Sequence, residues 1–246
     1  MIIVISQPML FPWVGMLSQV RAADVFVYYP DVQFSKGSFV NRVQIKTAQG
    51  VKWLTVPLRG FQLGQHINEV KINNDRNWRK EHMRLLRDAY AAAPYVDEML
   101  NLAESVYRHE YENIGALSEA SMMALSKHYE LDGGRVFKNS ETLGIGGSSS
   151  RRVLDIVLAL GGDMYLTGHG ASRYLDHELF EQAGVRVEYM DYVNIPYPQL
   201  HGEFTPYVSA LDLVANAGLG GIDCICPKSI YWKDFLSGER DRKISG

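Results

Sequence analysis

Hydrophobic residues open the chain as a short β-branched run, residues 2–5, followed at once by Ser6, Gln7, Pro8 and, four residues on, Pro12. An unbroken apolar run of this length between turn residues is the pattern of a strand buried on both faces of a parallel sheet. Val14, Leu17 and Val20 then recur at helical spacing, with Pro12 suited to the first turn, where its missing amide hydrogen matters least. Residues 24–28 read as a second strand. A right-handed β-α-β opening puts the turn 6–12 at the carboxyl end of the first strand, where open α/β sheets bind ligands.

Beyond this unit the period changes. Gly37, Gly50, Gly60 and Gly64 punctuate residues 31–72, which fits small antiparallel strands or an irregular insertion. From Asn77 the spacing of Met83, Leu86 and Tyr90 is helical, and after Pro94 a second long helical stretch runs from Val96 towards Tyr129, closed by Asp132, Gly133 and Gly134. The α/β rhythm then returns: a helix after Ser148, a strand over 163–166, a helix over 174–183, a strand over 185–189 and a helix over 209–216. The expected fold is α/β, with a parallel-sheet core from residues 1–76 and 135–236 and a helical subdomain at 77–134. The polar stretch 237–246 is expected to fray.

Composition narrows the function. The 246 residues are 46% hydrophobic and 22% charged, enough for a sizeable core. A net charge of -3 gives no excess of cations to hold a polyanion, so nucleic acid is not an expected partner. The chain begins without the basic start of a secretory leader, and its apolar segments are too short to span a bilayer, so a cytoplasmic location without integral membrane contact is expected. Two cysteines, Cys224 and Cys226, form no disulfide framework, and no metal-ligand spacing occurs, so no structural metal is expected.

The most suggestive chemistry lies at 144–152. Gly147 lets backbone amides approach an anion; Ser148, Ser149 and Ser150 supply hydroxyls and a helix cap; Arg151 and Arg152 offer planar forks for phosphate at the positive end of a helix. The plainer alternative is a glycine linker and an ordinary cap, since the stretch is neither a Walker A loop nor a dinucleotide fingerprint. His169, in the polar turn 167–170 after a predicted strand, and His201, in the stiff aromatic-proline loop 197–206, are candidate acid/base groups. Turn histidines that only bond backbone are the alternative for both. Lys36, Asn41, Arg42 and Lys46 form a local basic cluster able to neutralise a phosphorylated or carboxylated substrate, or simply to face water. His82, His109 and His128 read as packed or surface residues.

Ser6-Gln7-Pro8, Pro12-Trp13, Gly15, the block 23–27, the block 31–39 and Asn41-Arg42 together resemble the WbqC-like protein family of bacteria. Tyr174-Leu175-Asp176, the block 197–202 with Phe204, and Leu211-Asp212-Leu213 extend the resemblance over nearly the whole chain. It implies a part in surface-polysaccharide (O-antigen) biosynthesis. One position departs: where the family carries a histidine before Gln-Pro, this chain has Ser6. Residues 1–34 and 148–152 are also similar to pantothenate synthetase and the wider nucleotidyltransferase group with HIGH and KMSKS-like elements, without the paired histidines of the first element. That likeness implies a nucleotide-binding, HUP/Rossmann-like core.

Three functions follow as expectations. In the first, the protein is a transferase or ligase using ATP with Mg2+ or a nucleotide-sugar. The 147–152 segment holds phosphate, Gln7 and His169 orient the reacting group, and Pro8, Trp13, Lys36, Asn41, Arg42 and Tyr197 contact a small-molecule or nucleotide-linked sugar. In the second, an acyl or aminoacyl group moves onto a sugar without ATP, with His201 or His169 as base. In the third, the chain is a non-catalytic glycan- or partner-binding module using Trp13, Trp53 and Tyr197 as stacking platforms. A homodimer is compatible with each.

Overall fold

A computed structural model describes the backbone of residues 1–244 and the side chains of residues 1–238. The chain runs through β1 (Ile2–Ser6), α1 (Val14–Ala22) and β2 (Val25–Tyr28), then two small antiparallel ladders, β3 (Arg42–Thr47) with β4 (Gly50–Thr55) and β5 (Leu58–Arg59) with β6 (Lys71–Ile72). Helices α2 (Trp78–Tyr90), α3 (Val96–Tyr107) and α4 (Ile114–His128) follow. Then come β7 (Val136–Asn139), α5 (Ser149–Ala159), β8 (Met164–Thr167), α6 (His177–Gln182) and β9 (Arg186–Met190). A long loop leads to α7 (Ala210–Ala217), β10 (Ser229–Tyr231) and α8 (Trp232–Ile244).

Six strands form one sheet in the order β10-β9-β8-β1-β2-β7, parallel except for β10. Numbered by their succession within the sheet, they stand 3-2-1-4-5-6 from the β7 edge. The sheet is built first outward from β1 through β2 to β7, and the chain then crosses back to lay β8 on the other side of β1. The loops after β1 and β8 therefore diverge and leave a crevice at the carboxyl edge, where ligands of such sheets bind.

Both faces of the central strands are covered, which is why β1 and β2 read as continuous apolar runs. Alternate side chains serve two cores. Val4, Phe26 and Tyr28 join the cluster that holds Leu17 of α1, Leu86 of α2, Met99 of α3 and Leu125 of α4. Ile3, Ile5, Val25 and Val27 pack with Val153 and Val157 of α5 and Phe180 of α6.

The departures from the sequence reading have local causes. Pro12 precedes α1 rather than entering its first turn, because Trp13 takes the cap position in an extended conformation and bridges to Ser209. The helical stretch 96–129 is two helices, broken at 108–113. There Tyr111 Oη donates to Val106 O (3.0 Å), and the Asn113 side chain caps α4 by accepting from the Ala116 amide (2.9 Å). The helix expected over 174–183 is confined to α6, behind a short helical turn at His169–Arg173. α8 extends over residues 237–244, and residues 245–246 lie outside the described residues. Among the described residues no helix is long and apolar enough to cross a membrane.

Candidate functional site

A cleft of about 1340 Å³ opens over the carboxyl ends of β1, β2 and β8. Gln7 and Trp13 reach it from the β1–α1 turn, Tyr29 and Asp31 from the end of β2, Gly147, Ser148, Ser149 and Arg152 from the start of α5, and His169 from the loop after β8. These parts come from four separate stretches of chain, and the strand reversal beside β1 is what brings them together.

The start of α5 forms one wall. Gly147 has φ +95°, a conformation that side chains disfavour, and it turns the chain so that Ser148 can sit extended at the helix cap. Ser148 makes no side-chain capping bond, and Ser149 holds φ +54°, strained for a residue with a Cβ. Both serines are exposed, so hydroxyls and first-turn amides face the cleft at the positive end of the helix.

Arg152 is clasped rather than free. Its Nε donates to Ile145 O (2.9 Å), its Nη2 donates to Asp31, and its guanidinium lies 4.9 Å from the Tyr29 ring centre. The other Asp31 oxygen accepts from the Ser140 hydroxyl. Asp31 thus ties down both ends of the glycine-rich loop between β7 and α5. Burial acts to raise its pKa, but the hydrogen bonds from Arg152 and Ser140 and the Arg152 charge outweigh it, holding the carboxyl below its ordinary 3.8.

His169 lies across the cleft. Its Nε2 is 2.7 Å from Met190 O, and because a carbonyl only accepts, Nε2 carries the hydrogen, which in the neutral imidazole places the lone pair on Nδ1. The residue is exposed, with its ring 4.8 Å from that of Tyr192. Gln19 Nε2 donates to Tyr192 Oη (2.8 Å), and burial pushes that hydroxyl's pKa up, so it stays protonated with its hydrogen free to donate. Gly168 is required by this packing: a Cβ there would stand 2.8 Å from Tyr192 Oη.

The remaining sequence candidates do not line the cleft. Pro8 is buried. Ser150 is turned inward, accepting from the Asp176 amide (2.9 Å) and donating to Tyr174 O, which fixes another wall. Arg151 is exposed and paired with Asp155 (3.0 Å). The basic cluster is dispersed: Lys36 is exposed, Asn41 is buried and donates to Val56 O, and Arg42 lies over Trp53 at 4.1 Å. Lys46 is buried and donates to Gln199 Oε1 (3.2 Å), Gly202 O (3.0 Å) and Glu203 O. Tyr197 donates to the buried Asp212 (2.8 Å), and His201 bonds Ala89 O (2.7 Å).

Sequence reasoning missed Asp31, Tyr29, Gln19, Tyr192, Tyr174 and His66, all cleft residues. Tyr29 and Asp31 could have been found, since they follow directly on a predicted strand. Tyr192 and Gln19 could not, because they meet across 173 residues of chain.

A family model described as the WbqC-like protein family matches residues 7–224. The chain is 30% identical over 219 residues to the uncharacterized protein Rv1507c of Mycobacterium tuberculosis (strain ATCC 25618 / H37Rv), covering 88% of this chain and 94% of that one. No solved structure matches it. The matched span takes in β2, β7, β8 and β9 of the parallel core and every cleft residue but Ile5 and Ser6, and on that extent the chain belongs to the WbqC-like protein family.

Proposed function

We propose that the protein is a nucleotide-binding transferase or ligase of bacterial surface-polysaccharide (O-antigen) assembly, with ATP or a nucleotide-sugar lying across the cleft of a HUP/Rossmann-like sheet. One observation carries the reading: the first turn of α5, which has no side-chain cap, opens with Ser148 and Ser149 into the same cleft as His169, whose Nδ1 has no hydrogen-bond partner among the described residues. The 3-2-1-4-5-6 strand order, shared with doubly wound dinucleotide-binding sheets, supports it.

In this reading phosphate oxygens accept from the amides and hydroxyls at 147–149, and from those N–H groups of Arg152 that Asp31 and Ile145 leave over. Trp13 and Tyr174 offer faces for a base or sugar ring. Gln7, whose side chain makes no hydrogen bond among the described residues, orients the acceptor. His169 Nδ1 then takes the proton that the attacking oxygen or nitrogen loses as its bond to the donor forms, while the donor's bond to its phosphate leaving group breaks and that phosphate, held at 147–149, carries away the electron pair. Among the described residues that line the cleft Asp31 is the single carboxylate, and both its oxygens are engaged. A magnesium ion accompanying the phosphates would therefore be held by phosphate and water.

Thermal unfolding with a panel of nucleotides and nucleotide-sugars tests this. A ligand at 100 times its Kd stabilises the fold by about 2.7 kcal/mol. The Ser148→Ala/Ser149→Ala protein should lose roughly tenfold in affinity, from two hydrogen bonds. The His169→Ala protein should bind normally and turn over roughly 10²–10⁴ times more slowly. No shift with any nucleotide would refute the reading in favour of a glycan- or partner-binding module, and a shift with nucleotide-sugars alone would exclude ATP-driven ligation.

A further inference from the structure

The family match ends at residue 224, yet the chain goes on to add an edge strand and a helix to the sheet. β10 pairs antiparallel with β9, and α8 folds back over the end of the sheet. Trp232 and Phe235 stand three residues apart on α8, so they share one face of the helix. Each meets a histidine. The Trp232 ring stacks on His177 at 4.5 Å and 17°, while the Phe235 ring packs on His169 at 4.7 Å and 45°. Phe235 also stacks on Tyr189 at 4.3 Å, and Tyr189 Oη is 2.7 Å from His177 Nε2.

We propose that the β10–α8 unit is a positioning element of the cleft, in which Phe235 buttresses the His169 imidazole so that Nδ1 stays directed away from its backbone anchor. With Tyr192 at 4.8 Å, Phe235 gives the His169 ring a second aromatic neighbour. The Nε2 bond to Met190 O pins one edge of the ring, but a single hydrogen bond leaves rotation about its own axis free. Aromatic packing removes that freedom. The unit is itself fastened at Glu181, which accepts from Trp232 Nε1 (3.1 Å), from Lys233 Nζ (3.2 Å) and from the Tyr231 hydroxyl. Phe235 acts through His169 and is a positioning residue, not a catalytic one.

The inference rests on reading His169 as a cleft group, but its test uses no ligand. In the full-length protein, the His169 Nε2–H proton is followed by nitrogen-edited NMR and its exchange with water measured. Phe235→Ala should speed that exchange roughly threefold to tenfold, the range set by losing one aromatic contact. Phe235→Leu, which keeps apolar bulk without a ring, should show the same direction and guards against a variant that merely unfolds. Phe235→Tyr should restore the native rate. Unchanged exchange and ring shifts in both the Ala and Leu proteins would overturn the proposal. Faster exchange in a protein that binds no nucleotide would leave it standing while the proposed function falls, so the two failures are distinguishable.

Discussion

Two loops of this protein carry a histidine beside glycine, 167–170 and 200–202, and both histidines fasten Nε2 to a backbone carbonyl at 2.7 Å. Their surroundings differ completely. The loop at 167–170 leaves a parallel strand beside the point where the sheet reverses, so its histidine faces a large cleft. The loop around His201 is closed on itself: Lys46 takes three acceptors from it, and Asp212 accepts from both Tyr197 (2.8 Å) and Tyr90 (2.9 Å). The same residue type and the same anchor make a site in one place and a seam in the other. What separates them is position relative to the strand ends, not local chemistry.

The carboxylates of the two regions make the contrast electrostatic. Asp31 in the cleft is held below its ordinary pKa despite burial, by Arg152 and Ser140. Asp212, on α7 beside the closed loop, is raised, because burial outweighs the hydroxyls of Tyr197 and Tyr90, the Gln199 amide and the Lys46 charge. One carboxylate is kept ionised beside a ligand space. The other belongs to the packing.

The comparison can be broken most forcefully at Asp212. Asp212→Ala strands two tyrosine hydroxyls in the interior, and urea unfolding should show a loss of about 2–4 kcal/mol with ligand affinity at the cleft retained. A smaller effect is expected at the clasp. Asp31→Asn should lose about 1–2 kcal/mol, between an exposed and a buried pair, and should loosen nucleotide binding as the 140–152 segment slackens. The pH profiles should run in opposite senses. Asp31 contributes stability above about pH 4 that is lost as pH falls below its ordinary 3.8, so Asp31→Asn flattens the acid limb. Asp212, with a raised value, contributes most at low pH and loses stability as pH rises through its folded pKa, so Asp212→Asn flattens the curve on that side.

Next in size is Gly168→Ala. Its new Cβ displaces the Tyr192 hydroxyl, for about 1–2 kcal/mol and a measurable shift in the fluorescence of neighbouring Trp13, 4.8 Å from the Tyr192 ring. Least of all is His201→Gly. It gives up one hydrogen bond but relieves a φ of +67°, so denaturation should place it within about 1 kcal/mol of native with cleft binding unchanged. An effect of His201→Gly on binding as large as that of a cleft substitution would erase the distinction between the two loops.

The central sheet was legible because β1, β2 and β8 are apolar runs between turn residues, a pattern fixed by burial on both faces, while β9 alternates apolar with charged residues. β7 was not, since an edge strand of four residues, Val-Phe-Lys-Asn, half exposed, has no periodicity to detect. β10 and α8 escaped for a related reason: they cover an edge through aromatic contacts, and the sequence there alternates without an apolar stripe. In the cleft, Gln7, Trp13, Gly147, Ser148, Ser149, Arg152 and His169 were found because each follows a strand or starts a helix. His201 and Tyr197 were drawn in by the same composition-based logic. Only the path of the chain shows that their polar groups are spent on Ala89, Asp212 and each other's loop. Arg152 shows the converse, lining the cleft while its charge is balanced by an aspartate 121 residues earlier in the chain.

The most direct test of the cleft as a nucleotide site is an amide NMR titration of the native protein with ATP and with nucleotide-sugars. Saturable shifts concentrated at 146–149 and 167–171, with 200–202 unmoved, are the predicted result. Shifts centred on 200–202, or none from any nucleotide, would contradict the account.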